Sequence, residues 1–562
     1  MSPALFPCAR ARRNVPALPL AAVLVLSACA TAPEYRQEAD ADAYAILVRA
    51  HEEVTGEAKV ERIGGAAGTL RETLKTQLAE GKAPVVRLDI PTALDVAAEN
   101  SRDYLRQRES LYRTALSLTS ARHDFELRWG GGAAADVSGV GTDTASLGLS
   151  DDLSASVRST SGTRVVASFA NNLFKSLLSG GAGWNESSIL GLSLTQPLLR
   201  GAGESIVREP LTQAERDVVY AVRSFERFRA TFAVNVVSEY FSLLAQLRNI
   251  DSQRRNLDGI RRAREQIQAL YEAGRRPLGD LDRARQNELG AENALLNANN
   301  RLESALDSLK ELLGLPMTAV IELDPAELER LAAMDVAPVG LDADTAVRLA
   351  LQRRYDYRTA RDRVEDSARQ LVVAEDALGS TLDLSAAIQV PTEPGKAFVF
   401  DWSKVSWSAG FDLGLALDRL GERNAYRSAF ISLDDRMRTR DELADQILQQ
   451  VRAALRDIVT RVEDWKIQKN AVALAERRVD STRELYLADR ASALDLLDAE
   501  DDLLAARLGL TSATVDYSTS KLRLLRDLEG LEVEPRGLRF DPSLPLPTGP
   551  QDTRDAARAL RP

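Results

Sequence analysis

The segment Asp495-Leu496-Leu497-Asp498 sets two carboxylates three residues apart. On a helix that spacing places both on one face. Carboxylates held close together repel one another and attract cations, so the chemistry on offer is ion selection rather than bond making. Ser492, three residues ahead of Asp495, also forms a capping-box pattern with it, and Asp498 is not needed for such a cap. At an offset of 215 residues, Asp280 takes the place of Asp495 and Arg283 that of Asp498, so that segment is expected to contribute an ion pair instead. The two histidines, His51 and His123, cannot build a His-rich metal site. No HExxH, GxSxG, Walker A or GxGxxG pattern occurs, and Gly139-Val140-Gly141 and Gly201-Ala202-Gly203 read as glycine-rich turns. The chain is expected to be no enzyme, to hold no cofactor and no metal, and to draw any energy from a partner.

The two cysteines, Cys8 and Cys29, lie in the first thirty residues. Residues 1–28 carry Arg10, Arg12 and Arg13 without an acid, followed by an apolar run from Val15 to Leu26, the layout of a secretory leader. Leu26-Ser27-Ala28-Cys29 resembles a bacterial lipobox, which implies acylation of Cys29 as the mature N-terminus. Ala30 is not the aspartate associated with inner-membrane retention, so the resemblance implies the outer membrane, held by lipid.

These residues must be positioned by long helices. The chain has 562 residues, 44% hydrophobic, 28% charged and only 5% aromatic, with a net charge of −11 that argues against nucleic-acid binding. No stretch reaches the ~18 apolar residues of a spanning helix. Leu270-Tyr271-Glu272-Ala273-Gly274-Arg275 matches Leu485-Tyr486-Leu487-Ala488-Asp489-Arg490 at the offset of 215, and Asp103-Tyr104 matches Asp356-Tyr357 at 253. The chain is therefore duplicated, and the first copy holds 38 more residues, in the Gly/Ser/Thr-rich stretch between about 125 and 200. The expected divisions are a leader 1–28, an extension 29–84, a first repeat 85–323, a linker 324–340, a second repeat 341–533 and a disordered tail 534–562. Helices are expected over 92–122, 203–273 and 278–314, and in the second copy over 343–379 and about 422–488. Leu211, Val218, Val222, Phe225, Phe232, Val236, Tyr240, Leu243, Leu247, Ile250, Leu257, Ile260, Ile267 and Tyr271 form a coiled-coil-like stripe.

Between the helices the pattern alternates. In 381–390 Leu382, Leu384, Ile388 and Val390 share a face, in 405–418 Trp407, Phe411, Leu413 and Leu415 do so, and in 189–195 Leu190, Leu192 and Leu194. A fourth, less clean strand begins at Phe125, Leu127 and Trp129. Ten-residue alternation is the signature of outer-membrane β-strands, with Trp402, Trp407, Phe398 and Phe400 as girdle candidates. Four strands cannot close a barrel, and open edges are prohibited in lipid, so several copies would have to share one.

With Leu194-Thr195-Gln196-Pro197-Leu198-Leu199-Arg200-Gly201, the duplicated Leu-Tyr-x-Ala segments and Glu311-Leu312-Leu313-Gly314-Leu315-Pro316, the chain resembles the TolC-like outer-membrane efflux family, in its lipoprotein branch, over about 85–533. The resemblance implies a mainly α fold with a small transmembrane β part. It implies a homotrimer with a twelve-stranded β-barrel, a periplasmic α-barrel, and an equatorial region from Val85–Ile90, Met317–Leu323 and the chain around Leu531. It implies a passive exit duct that works with a periplasmic adaptor and an inner-membrane exporter. Asp495, Asp498 and Asp280 would then line a cation-favouring constriction, and the tips at Gly274-Arg275-Arg276-Pro277 and Asp489-Arg490-Ala491-Ser492 would meet the adaptor. The 38 extra residues are expected to enlarge an extracellular loop within 130–188. The second copy reads Leu417-Asp418-Arg419-Leu420-Gly421 where the first has its proline corner. A type I protein-secretion exit channel shares the same fold, and a lipid-tethered periplasmic coiled-coil scaffold without a pore is the contrasting class.

Overall fold

The computed structural model describes residues 31–58, 60, 70–81, 85–140, 144–177, 184–324, 326–327, 330, 336, 340–396, 398–534 and 537–540. The leader, Cys29, most of the linker and most of the tail lie outside these residues. In chain order the elements are α1 (Ala32–Thr55), α2 (Leu70–Ala79), β1 (Val85–Leu88), α3 (Ile90–Asn100), α4 (Arg102–His123), β2 (Arg128–Val140), β3 (Thr144–Arg158), β4 (Arg164–Ser176) and β5 (Asn185–Pro197). There follow α5 (Glu209–Glu272), α6 (Leu278–Leu313), β6 (Val320–Leu323), α7 (Ala343–Arg353), α8 (Tyr355–Asp376), β7 (Thr381–Pro391) and β8 (Ser406–Gly414). The last are α9 (Leu420–Leu487), α10 (Ala493–Asp527), β9 (Leu531–Glu534) and β10 (Gly537–Phe540). Two compact units result, and each draws on both sequence repeats. One comprises the described residues up to Ala50, with Arg113–Val218 and Glu365–Asp435. The other comprises His51–Tyr112, Val219–Val364 and the described residues from Arg436 on.

The first unit holds one antiparallel sheet in the order β2-β3-β4-β5-β7-β8. It has six strands where the sequence predicts four. The 38 extra residues are not an extracellular loop: most of them form β3 and β4, hydrogen-bonded inside the sheet. The first strand begins at Arg128 rather than Phe125, because Phe125 and Glu126 donate back to the Arg122 and His123 carbonyls and close the end of α4. Residues directly opposite in the register share a face. One face carries Trp129, Leu149, Leu153, Phe169, Leu173, Leu190, Leu192, Ile388, Trp407 and Phe411, and the other Ser150, Asp152, Ser154, Ser168, Ser193, Ser385 and Asp412. The apolar face carries a polar rung inside the sheet, besides Lys175, Glu186 and Gln196 toward its ends. Asn171 donates to Asp151 Oδ1 (2.9 Å), Ser188 Oγ to Asn171 Oδ1 (2.9 Å), and the Ser188 amide to Thr392 Oγ1 (2.9 Å). Each buried group there has a partner, as burial demands. Phe398 and Phe400, from the β7–β8 connection, pack on Phe169 at 5.9 and 6.5 Å between ring centroids.

The corner motif explains itself at the end of β5. Leu198 N–H donates to Leu382 O (2.7 Å), Arg200 N–H to Ser380 O (3.3 Å), and Gly201 N–H to the Asp376 carboxylate (2.8 Å) with Gly201 at φ +77°. Proline ends the ladder without wasting a donor. At the second corner, which lacks the proline, Asp418 accepts from the Leu420 amide (3.1 Å) at the start of α9.

In the second unit, both expected helices before the sheet are broken once. Ser101 separates α3 from α4 and Arg354 separates α7 from α8, each with ψ near the extended region. They are related by the repeat offset of 253. Arg354 is buried and bonded to Asp356 (2.7 Å) and Gln450 (2.9 Å). Most of the predicted stripe of α5 is buried, but Leu247 and Tyr271 are exposed. Between Ala230 and Leu244 burial extends round the helix to Ala233, Val234, Val237 and Phe241, so this stretch is more than a seam. Here Tyr104 of α4 meets Phe225, Phe228 and Phe232, and the Tyr240 hydroxyl donates to Leu88 O of β1 (3.0 Å). β1 pairs in parallel with β6, both within the segments assigned to the equatorial region; β9 pairs antiparallel with β10, so residues 537–540 form a strand in the stretch expected to be a disordered tail.

The extension before β1 is tied to this unit. The Arg71 guanidinium donates to Gly314 O (2.6 Å) and the Arg71 amide to Asn100 Oδ1 (3.0 Å). Gly314 ends α6 at φ +71°, and a Cβ there would lie 2.1 Å from Asn100 O. Gly314→Ala therefore combines backbone strain with a backbone clash, and is expected to destabilise the fold by about 2–4 kcal/mol, read as a lower denaturation midpoint in detergent.

His51 is the other tie. Its ring lies 3.1 Å from Glu226 Oε1 on α5 and 2.7 Å from Glu57 O. The Glu226 hydrogen bond raises the His51 pKa above its usual 6.5 against the opposing effect of burial. Burial pushes the Glu226 carboxyl up, but His51 and Arg229 outweigh it and the net shift is downward. A raised histidine stabilises fully below its unfolded value and loses that contribution as pH rises through the folded one. A depressed carboxylate loses its contribution as pH falls. The stability difference between the natural chain and His51→Gln is thus expected to be greatest near pH 5–6 and to shrink above about pH 8. Thermal melts at pH 5.5 and 8.5 check it; a gap that widens with pH contradicts it.

Candidate functional site: hairpin tips and the aspartate helix

The end of α5 and the end of α9 are built alike. Gly274 (φ +72°) donates to Tyr271 O (2.9 Å) and Arg275 N–H to Leu270 O (2.8 Å). Asp489 (φ +57°) donates to Tyr486 O (3.1 Å) and Arg490 N–H to Leu485 O (2.8 Å). Both are Schellman closures, in which a left-handed residue lets the chain satisfy the last helical carbonyls. An aspartate in the left-handed region costs more than the glycine of the other tip. What Asp489 adds is its side chain, which receives both Arg275 and Arg276, the latter at 3.3 Å. Arg276 also donates to Ala491 O (3.3 Å), and its guanidinium lies 4.9 Å from the centroid of the fully buried Tyr486 ring. The two tips predicted separately are thus joined in one chain. Arg490 makes no comparable bridge between them among the described residues.

Beneath the tips, Leu257, Ile260, Ile267, Leu281, Tyr486, Leu496 and Leu497 form one apolar cluster. Leu496 and Leu497 enter it, so Asp495 and Asp498 face outward, and both are exposed in the single chain. Asp495 closes the predicted capping box: Ser492 N–H and Oγ donate to its Oδ2 (2.8 and 2.7 Å), and its own amide donates to Ser492 Oγ (3.2 Å). These bonds, the Ser492 hydroxyl first, hold the Asp495 carboxyl below the usual carboxylate range, so it keeps its charge in mild acid. In the first copy Pro277 replaces Ser492 as the N-cap, and Asp280 has no box. Asp280 and Arg283 form no ion pair among the described residues, which corrects the expectation from their spacing. Sequence reading also missed that acids continue along α10: Glu500 pairs with Arg483 (2.8 Å) and Asp502 with Arg478. The four-residue step from Asp498 to Asp502 was the available signal.

With a strand–long-helix unit duplicated and its hairpins closed by matched turns, the class of the fold is defined. A family model described as "Outer membrane efflux protein" matches residues 146–315. The outer membrane protein TolC of Escherichia coli (strain K12) is 20% identical over 345 residues, which is 58% of this chain and 68% of that one. The alkaline protease secretion protein AprF of Pseudomonas aeruginosa is 25% identical over 350 residues, 60% of this chain and 69% of that one. Among solved structures, the Campylobacter jejuni CmeC outer membrane channel superposes with a TM-score of 0.58 at 14% identity, over 84% of this chain and 90% of that one. The chain resembles the TolC-like outer-membrane efflux proteins, and the family model covers its residues 146–315.

Proposed function

We propose that the protein is the outer-membrane exit duct of a tripartite efflux system, a passive homotrimeric channel anchored through acylated Cys29. The family consists of channels rather than enzymes, and TolC-like channels are trimers that work with an adaptor and an inner-membrane pump. The observation that carries the reading is the sheet: one face apolar and exposed, the other polar, and both edges open. Such a sheet satisfies its backbone in lipid only when copies close it into a barrel. Leu289 and Leu296 on α6, and Ile467 and Leu474 on α9, are exposed at seven-residue spacing. That is the repeat of a helix seam awaiting neighbours. Asp495, Asp498 and Asp280 would line the constriction, and Gly274, Arg275, Asp489 and Arg490 would present the tips to the adaptor. The likeness to AprF, a protease secretion protein, favours protein secretion as the second reading. Membrane fractionation and native mass measurement test the proposal. A trimer in the outer-membrane fraction, released only by detergent, is expected, with lipid labelling lost in Cys29→Ser. A salt-extractable monomer would overturn it.

A further inference from the structure

The additional hairpin has a consequence for the wall of the duct. We infer that three copies close a barrel of eighteen strands, six from each, rather than the twelve that the family resemblance implies; the inference rests on the trimeric reading above.

Strands β3 and β4 sit in the interior of the sheet order, so they cannot be removed without separating β2 from β5. Their pairing is continuous: Arg128↔Ser156 to Val140↔Thr144, Ser146↔Ser176 to Arg158↔Arg164, and Arg164↔Thr195 to Phe174↔Asn185. At 15 and 13 residues they exceed the 9–11 that a tilted strand needs to cross a bilayer. They keep the sheet's two faces, with Leu149, Leu153, Val157, Val165, Phe169 and Leu173 aligned with Leu190 and Leu192 of β5.

The turn between them lies at the end of the sheet where β5 leaves it. Gly162 (φ +95°) closes it with an N–H to Ser159 O (3.0 Å), and Thr163 Oγ1 and Ser161 O both bond the Gln196 side chain. A Cβ on Gly162 would meet Pro197 at 2.9 Å and Val207 at 3.1 Å. The hairpin therefore ends against the corner where β5 leaves the sheet, at the level where a wall strand must end. A loop projecting from the opposite rim would not reach it.

The occupant of the open edges is a second copy of this chain. Among the described residues β2 and β8 are each paired with a strand on one side only, and Trp129 and Trp407 on them are 69% and 78% exposed. Six is even, so β2 and β8 run in opposite directions and β8 of one copy meets β2 of the next antiparallel, as barrel closure requires. At a strand spacing of ~4.8 Å and a tilt of ~40°, eighteen strands give a backbone radius of about 18 Å against about 12 Å for twelve. The membrane passage is then more than twice as wide in cross-section.

Cryo-electron microscopy of the full-length protein in nanodiscs, with its strands counted, is the test, and eighteen wall strands are expected. Single thiols at Leu149→Cys and Leu173→Cys are expected to be reached by a lipid-borne quencher, and those at Ser150→Cys and Asn172→Cys by a water-soluble one. A trimer with twelve wall strands, or four thiols all open to water, overturns this inference and leaves the duct standing. Absence of a trimeric barrel overturns the duct reading itself.

Discussion

Replacing Asp495 and Asp498 together with alanine is expected to abolish most of the channel's cation preference. In a trimer the two positions supply six carboxylates. At about 10 Å across a water-filled passage each contributes about 0.4 kcal/mol to a monovalent ion before screening. Six together exceed the ~1.4 kcal/mol of a tenfold change, so the cation-to-anion permeability ratio should fall about tenfold at low ionic strength. Two controls separate charge from helix capping. Asp495→Asn keeps an acceptor for the Ser492 bonds but removes the charge, and should lower selectivity without loss of stability. Ser492→Ala leaves the charges but breaks the box, and should cost about 1 kcal/mol of stability with selectivity retained. The hydrogen bonds from Ser492 also predict the pH response. They hold the Asp495 pKa down, so its share of the selectivity should survive below the ordinary carboxylate range and vanish only as pH falls further. Zero-current potentials in a salt gradient, measured against pH, read both effects.

Placing a charge on the apolar face of the sheet is expected to block assembly. Leu192 lies on β5 opposite Ala167 and Ile388, and it is exposed in the single chain. In lipid an arginine there costs about 2–4 kcal/mol per copy near the bilayer midplane, and the trimer would bear the cost three times. The neighbouring Ser193 faces the other way, opposite Val166 and Ala387, on the side that would meet water in the proposed barrel. Ser193→Arg should therefore assemble normally while Leu192→Arg yields little heat-resistant trimer. Equal yields would mean that the two faces do not see different solvents.

The long helices were legible because a stripe of Val, Leu, Phe and Tyr at 3–4 spacing is a strong signal over so many residues. The duplicated tips were legible because Gly274 and Asp489 close their helices by the same hydrogen bonds, so the surrounding residues kept their types. That Asp495 and Asp498 share an outward face was legible from their spacing, since Leu496 and Leu497 turn inward. The extra hairpin was not legible. One face of β3 and β4 is Ser146, Ser150, Asp152, Ser154 and Ser168, which reads as a polar loop. The other face is interrupted by Asp151 and Asn171, which bond each other and Ser188 across three strands. Alternation in a barrel strand is weak per segment, and a long-range polar ladder leaves no trace in local sequence. His51 was read only as too little for a metal site. Its partner Glu226 is 175 residues away, and nothing local foretells their meeting.

The most direct test is a planar-bilayer recording of the purified full-length protein under a potassium chloride gradient. Discrete conductance steps with a zero-current potential of the sign set by cation preference are expected. A protein that inserts but passes no current, or one whose steps favour chloride, would contradict a duct lined at Asp495 and Asp498.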